Sequence, residues 1–152
     1  MKNTIIEFLV TGLYFGKIKY MPGTFGTIIG VLIFQLISNN TLVDNIFFLI
    51  IFFFITLLML NYCYKKNIFL DTDDKSIVID EILGYLAFMI FFENTILNIT
   101  VGFIFFRFFD ILKPFPIYLI DKKIKNSFGV MLDDIVAGLF AGIMLLLINY
   151  VV

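Results

Sequence analysis

The chain of 152 residues contains no histidine and no tryptophan, and its single cysteine is Cys63. Without histidine, catalysis by an imidazole acid or base is excluded, and so is a histidine metal site. One cysteine cannot form a disulfide within the chain. The amino terminus has neither a long apolar core nor an Ala-x-Ala pattern, so we expect no removable signal peptide.

Apolar residues make up 61% of the sequence, and the mean hydropathy is +1.04. Both values exceed those of soluble globular proteins, so the composition predicts a membrane protein, and the length predicts a single domain over residues 1–152. The net charge is −1, with 11 basic and 12 acidic residues. These charges lie in a few short stretches that separate long uncharged runs.

The apolar pattern predicts an all-α fold that is embedded in a membrane. The run Val43–Asn61 is the clearest span, because about 20 apolar residues cross the hydrocarbon core. We expect Thr24 to cap a helix and Lys113-Pro114 to end one. An amphipathic amino-terminal helix is predicted over Thr4–Phe15. About five apolar helical segments follow it: Thr24–Ile37, Val43–Asn61, Ile82–Phe92, Thr95–Phe106, and a last helix from near Asp133 to Val152.

The charges indicate how these segments are arranged. If the four middle segments form two hairpins, all 11 basic residues lie on one side, which is cytoplasmic by the positive-inside rule. A single helix over Ile82–Phe106 would place Glu93 in mid-bilayer and Lys113 outside. The hairpin topology is therefore the one we predict.

Two polar clusters occur in the first half of the chain. The turn Pro22–Thr27 leads into a helix amino terminus, which is suited to binding phosphate, although Gly26-x-x-x-Gly30 also fits simple helix packing. The second cluster runs from Asp73-Asp74-Lys75 to Asp80-Glu81. Acids at a helix start can be caps, but adjacent carboxylates repel each other unless a cation such as Mg²⁺ lies between them.

Two further clusters follow in the second half. Arg107 and Asp110 are three residues apart and could form a plain ion pair on a helix, yet Arg107 together with Lys113 could also bind phosphate oxygens. The pair Asp133-Asp134 repeats the pattern of Asp80-Glu81, with helix capping again as the alternative. All four clusters fall on the predicted cytoplasmic face.

In order and spacing, the four blocks resemble the motifs of the phosphatidylglycerophosphatase A family. The resemblance spans roughly residues 12 to 145 and includes four departures: Thr27 for Ser, Phe115 for Trp, Val130 for Ile, and Asn126-Ser127 for a glycine pair. The matching residues are Pro22–Gly26; Asp73, Ile77, Val78, Asp80, Glu81 and Gly84; Phe106–Ile117; and Gly129–Gly138.

The resemblance implies a Mg²⁺-dependent phosphatase of phospholipid biosynthesis that removes the terminal phosphate of phosphatidylglycerophosphate to give phosphatidylglycerol. It also implies a compact helical bundle around a central helix. The expected location is the bacterial cytoplasmic (inner) membrane, with the active site on the cytoplasmic face. The expected partners are the phospholipid substrate and the membrane, without nucleic acid; the sequence leaves the oligomeric state open.

We expect each polar cluster to supply part of one site. Asp80, Glu81, Asp133 and Asp134 are the predicted Mg²⁺ ligands. Arg107 and Lys113 are predicted to neutralise the phosphoryl group, assisted by Gly23 and Thr24, and Asp110 either orients Arg107 or acts as the nucleophile. The predicted catalytic residues are Asp80, Arg107, Asp110, Lys113 and Asp133.

Three alternatives remain: another membrane phosphotransfer enzyme, a membrane cation transporter and a purely structural membrane protein. Histidine-dependent lipid phosphatases are excluded, and the Asp-Gly-x-x-Ala-Arg signature of the CDP-alcohol phosphotransferases is absent. A transporter predicts acids in mid-span, whereas these acids lie near segment ends. A structural protein leaves Arg107 to Lys113 unexplained.

Overall fold

The structure is a computed structural model that describes residues 2–69 and 74–151, and all regular structure within them is helical. The all-α prediction is therefore confirmed for these residues, while Asp73 lies outside them. A 3-10 helix, Phe15–Lys17, follows the first α-helix. The described residues form seven α-helices: α1 Lys2–Val10, α2 Pro22–Ile37, α3 Leu42–Lys65, α4 Ile79–Met89, α5 Ile96–Leu112, α6 Ile117–Lys123 and α7 Ser127–Val151.

Local capping explains where several helices begin and end. Thr41 caps α3 by accepting a hydrogen bond from the backbone N–H of Asp44 at 3.2 Å, and Thr95 caps α5 in the same way from Asn98 at 3.1 Å. Helix α2 ends at Ile37 and α5 ends just before Lys113, both as the sequence predicted.

Several of the predicted helix boundaries are wrong, including both ends of the segment predicted over Ile82–Phe92, which forms α4 over Ile79–Met89. Thr24 is the third residue of α2 and not its cap, because Pro22 fits the first helical position and Met21 precedes it. Helix α7 begins at Ser127, six residues before Asp133. The Oδ1 of Asn126 caps it by accepting from the backbone N–H of Gly129 at 2.9 Å. The first helix ends at Val10.

Helix α4 holds the two central acids, and nine of its eleven residues are buried. It packs against α2, α3, α5 and α7. The backbones of α4 and α7 approach closely, because a Cβ on Gly84 would lie 2.7 Å from the carbonyl oxygen of Asp134. This contact brings the start of α4 beside Asp134. An arrangement of the whole bundle around one central helix stays a prediction.

Two of the helices, α3 and α7, are long and apolar enough to cross a membrane. Half of the residues of α3 are exposed, and only 17% of its most apolar stretch is buried within the protein. Its exposed side chains include Phe47, Phe54 and Leu58, which would face water in a soluble protein. Helix α4 has 11 residues and is too short to span. The count of five apolar segments is therefore not confirmed.

The turn between α2 and α3 and the turn between α4 and α5 lie at one end of the bundle. The Nδ2 of Asn94, between α4 and α5, donates to the hydroxyl of Ser38, at the end of α2, over 2.8 Å. The chain reverses between Met89 and Ile96, so a single helix over Ile82–Phe106 is excluded. The amino ends of α2, α4 and α7 and the carboxyl end of α5 meet at the opposite end.

Candidate active site

All nine predicted site residues line one cavity of about 410 Å³. It lies where the amino ends of α2 and α4 meet the second turn of α7 and the last turn of α5. The lining includes Gly23, Thr24, Asp80, Glu81, Arg107, Asp110, Lys113, Asp133 and Asp134. Residues from four separate polar clusters are thus brought to one surface.

Three acids form the core of this cavity. Asp80, Glu81 and Asp134 each offer a carboxylate oxygen, and these oxygens all lie within 4.8 Å of one another. Asp80 is 6% exposed and Asp134 is 5% exposed. The Oε2 of Glu81 is buried and has no hydrogen-bond partner among the described residues. Because buried like charges repel and unpaired ones are costly, the cluster fits a divalent cation with oxygen ligands.

Asp133 does not belong to this group of three. Its Oδ2 accepts a hydrogen bond from the Nζ of Lys113 at 2.6 Å, while its Oδ1 is buried without a partner among the described residues. Neighbouring residues on a helix project about 100° apart, so Asp133 and Asp134 face different partners. The predicted set of four acids is divided into a cluster of three and one acid beside a lysine.

Lys113 connects two acids at the edge of the cavity. It follows α5 with a φ of 42°, and its Nζ also contacts Asp121 at 3.1 Å. Burial by itself would lower the pKa of Lys113, but Asp133 and Asp121 outweigh that effect and raise the pKa above its ordinary value. For Asp121, burial is likewise outweighed, by Lys113 and Lys125, and its pKa is lowered. Lys113 therefore keeps its positive charge at neutral pH.

Arg107 and Asp110 form the ion pair that their spacing predicted. The Nη1 of Arg107 donates to the Oδ2 of Asp110, with the two side chains 15% and 11% exposed. The Nε of Arg107 is buried without a partner among the described residues. Asp110 thereby fixes the direction in which the guanidinium points.

Gly23 allows the arginine and an acid to approach α2. A Cβ at this position would lie 2.9 Å from both Nη atoms of Arg107 and would also overlap the Oε1 of Glu81. Thr24, the next residue, is half-buried in the cavity wall, and its backbone N–H is already donated to the carbonyl of Met21 at 3.0 Å. Its place in the sequence predicts only that Gly23 lies in a turn and does not reveal this close approach of Arg107 and Glu81.

Asp74 and Lys75 also line the cavity, although they are not among the nine site residues predicted from the sequence. The Oδ1 of Asp74 accepts from both the backbone N–H and the hydroxyl of Ser76, at 2.9 Å and 2.6 Å. This turn carries the exposed Lys75 to the cavity wall. Their position just ahead of Asp80 in the same polar block was the signal that could have found them.

The contact between Lys113 and Asp133 gives a stability prediction. Lys113→Met should lower the free energy of unfolding by about 2 kcal/mol, because Asp133 would remain buried without its cation. The double variant Lys113→Met/Asp133→Asn should regain most of that loss. Thermal unfolding in detergent micelles, followed by circular dichroism, measures both.

Lys125→Met is the matched control, since Lys125 is 53% exposed and lies 3.6 Å from Asp121. A surface pair of this kind contributes little, so its melting temperature should stay near that of the wild type. Equal destabilisation by the two lysine variants, or no recovery in the double variant, would contradict the role given to Lys113.

Comparison with known proteins gives consistent matches. The sequence profile of the family described as Phosphatidylglycerophosphatase A matches residues 8–149. A protein of Haemophilus influenzae with that name is 37% identical over 153 residues, which cover 95% of this chain and 89% of the relative. A protein of Escherichia coli K12 with the same name is 40% identical over 74 residues, 47% of this chain and 43% of its own length. No solved structure matches the chain significantly.

Proposed function

This chain belongs to the phosphatidylglycerophosphatase A family and is a phosphatase, and we propose that it hydrolyses the terminal phosphate of phosphatidylglycerophosphate in phospholipid biosynthesis. The products are phosphatidylglycerol and inorganic phosphate. The supporting observation is the cavity in which Asp80, Glu81 and Asp134 lie near Arg107 and Lys113. A phosphate monoester carries close to two negative charges, so its transfer requires cationic groups in such a place.

Asp80, Glu81 and Asp134 would hold Mg²⁺, with Asp133 next to them in the cavity wall. Carboxylates are the hard oxygen ligands that Mg²⁺ prefers, and the unpartnered Oε2 of Glu81 supports this assignment. When bound there, Mg²⁺ supplies positive charge to the phosphoryl oxygens. Without a cation the three carboxylates would repel one another, so a bound Mg²⁺ would account for their close approach.

Arg107 and Lys113 would bind the phosphoryl oxygens. A guanidinium offers two parallel N–H donors that match two phosphate oxygens, while the lysine adds a point charge. Asp110 and Asp133 hold these two cations through ion pairs, so the cations are in position before the substrate arrives. The half-buried Thr24 could donate its hydroxyl to the same phosphate.

Two routes of attack fit these residues. In one, a water oxygen forms the new bond to phosphorus, and the glycerol oxygen leaves and takes up a proton. In the other, a carboxylate oxygen of Asp110 forms that bond first while the glycerol oxygen leaves and takes up a proton from water, and a second water then cleaves the aspartyl phosphate. The ion pair with Arg107 reduces the nucleophilicity of Asp110, which favours attack by water. The routes differ in whether labelled phosphate becomes attached to the protein during turnover.

The proposed location is the bacterial inner membrane, with the site on the cytoplasmic face. The cavity contains Lys75, Arg107 and Lys113, and no lysine or arginine of the described residues lies in the turns at the other end, 38–41 and 90–95. The positive-inside rule then orients the bundle. At this depth the cavity would meet a lipid phosphate at the level of the head groups.

Phosphate release by the purified protein tests the proposal. With phosphatidylglycerophosphate and Mg²⁺ in detergent micelles, we expect rapid release of phosphate, and removal of divalent cations by EDTA should reduce the rate at least about a hundredfold. Added Mg²⁺ should restore it, and phosphatidate should be hydrolysed much more slowly.

Each comparison has an outcome that opposes the proposal. No release from phosphatidylglycerophosphate would refute the substrate, and faster hydrolysis of phosphatidate would favour a different membrane phosphotransfer enzyme. A rate that EDTA leaves unchanged would refute the role of Mg²⁺ while leaving the substrate assignment intact.

A further inference from the structure

A second cavity, of about 460 Å³, lies at the end of the bundle opposite the active site. It is formed by the turn between α4 and α5, the first turn of α5 and the last turns of α7. Its polar wall consists of Glu93, Thr95, Asn98 and Asn149. No group of the proposed catalytic site lines it.

The polar wall offers hydrogen-bond acceptors and negative charge. Asn98 is 6% exposed, and its Nδ2 donates to the carbonyl of Glu93 at 3.0 Å, while its Oδ1 is buried without a partner among the described residues. Glu93 is exposed and lines the same cavity. Because an exposed carboxylate attracts positive charge, this wall is suited to a ligand with a cationic head.

The surroundings favour a cation. No lysine or arginine among the described residues lines the cavity. The carboxyl ends of α4 and α7 lie there, and helix carboxyl ends attract positive charge. At the amino end of α5, the hydroxyl of Thr95 already accepts from the backbone N–H of Asn98, so that donor is not free for an anion.

An apolar groove continues from this cavity toward the middle of the bundle. A smaller cavity of about 210 Å³ shares Phe91, Phe92 and Leu146 with the first and extends between α4 and α7 past Gly142 and Ile143. Phe91 is 61% exposed and Leu146 is 60% exposed, so the groove opens to the outside of the bundle. The polar pocket and the groove together match a molecule with a cationic head and a hydrocarbon tail.

We propose that this site binds the head group of one aminophospholipid from the surrounding membrane, with a primary ammonium donating to the carboxylate of Glu93. One acyl chain then lies along the groove between α4 and α7. A bare metal ion fits poorly, because a single carboxylate in a cavity of this volume is not a metal-ligand set. An anionic lipid has no cationic group to pair with Glu93, and among the described residues the cavity has no basic residue to balance its charge.

Lipid binding to the purified full-length protein, measured by native mass spectrometry, tests this site. The probes are phosphatidylethanolamine, phosphatidylglycerol with the same acyl chains, and free ethanolamine. The wild type should retain phosphatidylethanolamine about fivefold better than phosphatidylglycerol, as expected for one ion pair at a partly exposed site. Glu93→Gln should abolish that preference, and Glu93→Lys should reverse it.

Asp44→Asn is the control, since Asp44 is an exposed acid on the same end that accepts from the Thr41 hydroxyl at 2.7 Å and does not line the cavity. It should keep the wild-type preference. Phosphatase activity in detergent micelles that contain no lipid except the substrate should be unchanged in Glu93→Gln, which separates this site from the catalytic one.

Three results would overturn the proposal. One is equal retention of both phospholipids by the wild type, and another is a preference that survives in Glu93→Gln or disappears equally in Asp44→Asn. The third is displacement of phosphatidylethanolamine by free ethanolamine at equal concentration, which would assign the cavity to a soluble amine.

Discussion

Asp134→Asn should release almost no phosphate from phosphatidylglycerophosphate, and without divalent cations it should melt at a higher temperature than the wild type. Asp134 is 5% exposed and lies within the group of three acids. Replacing it with the neutral, nearly isosteric Asn removes one buried charge and the repulsion it exerts on Asp80 and Glu81. The same change removes one of the proposed Mg²⁺ ligands.

The two effects have different sizes and different measurements. Loss of a ligand that positions charge at the reacting phosphate should reduce phosphate release by about a thousandfold. Relief of repulsion should stabilise the cation-free protein by about 1 kcal/mol, or roughly 3 °C in melting temperature for a domain of this size. Added Mg²⁺ should then raise the melting temperature of the wild type more than that of the variant.

Asp44→Asn serves again as the control, because it removes an exposed acid at the opposite end. Its activity and its response to Mg²⁺ should match those of the wild type. An Asp134→Asn protein that is active, or one that is inactive only because it melts at a lower temperature, would refute a metal role for the acid cluster.

The convergence of the four polar clusters could be predicted from the sequence, because charge segregation leaves few topologies for a chain with this many apolar residues. Each cluster lies at the end of an apolar segment, so two hairpins bring all of them to one face. All nine predicted residues do line one cavity. Their chemical roles remain proposals.

The different surroundings of Asp133 and Asp134 could not be predicted, because the two residues look equivalent in the sequence. The distinction depends on α7 beginning at Ser127, where Asn126 provides the cap. With both acids inside the helix, their directions are set by helical rotation, and Lys113 lies on the side of Asp133 only. A helix starting at Asp133 would have placed both acids in its first turn.

Helix α6, Ile117–Lys123, was also missed, since the prolines on either side of Phe115 end one helix and conceal the start of the next. Its residue Asp121 holds Lys113 from outside the cavity. No local pattern in the sequence reveals this contact between Asp121 and Lys113, because it depends on how the chain folds back after Pro116.

Gly23→Ala should reduce kcat/KM by about a hundredfold while leaving the helical content unchanged. The added methyl group would lie 2.9 Å from both Nη atoms of Arg107 and would overlap Glu81, so both side chains must move. Misplacement of a positioning group by up to about 1 Å is enough for a loss of this size. Alanine is at least as good a helix former as glycine, so α2 itself should not be weakened.

A double-mutant cycle identifies Arg107 as the group that Gly23 accommodates. In an Arg107→Ala background the guanidinium is gone, so the further change Gly23→Ala should cost clearly less than it does in the wild type. Ile28→Ala, an exposed position further along α2, controls for changes in the helix and should keep full activity. Additive losses in the cycle, measured as phosphate release at saturating Mg²⁺, would show that the glycine acts independently of Arg107. A reduced second loss would instead mean that the missing side chain at position 23 is what allows the arginine to reach the phosphate.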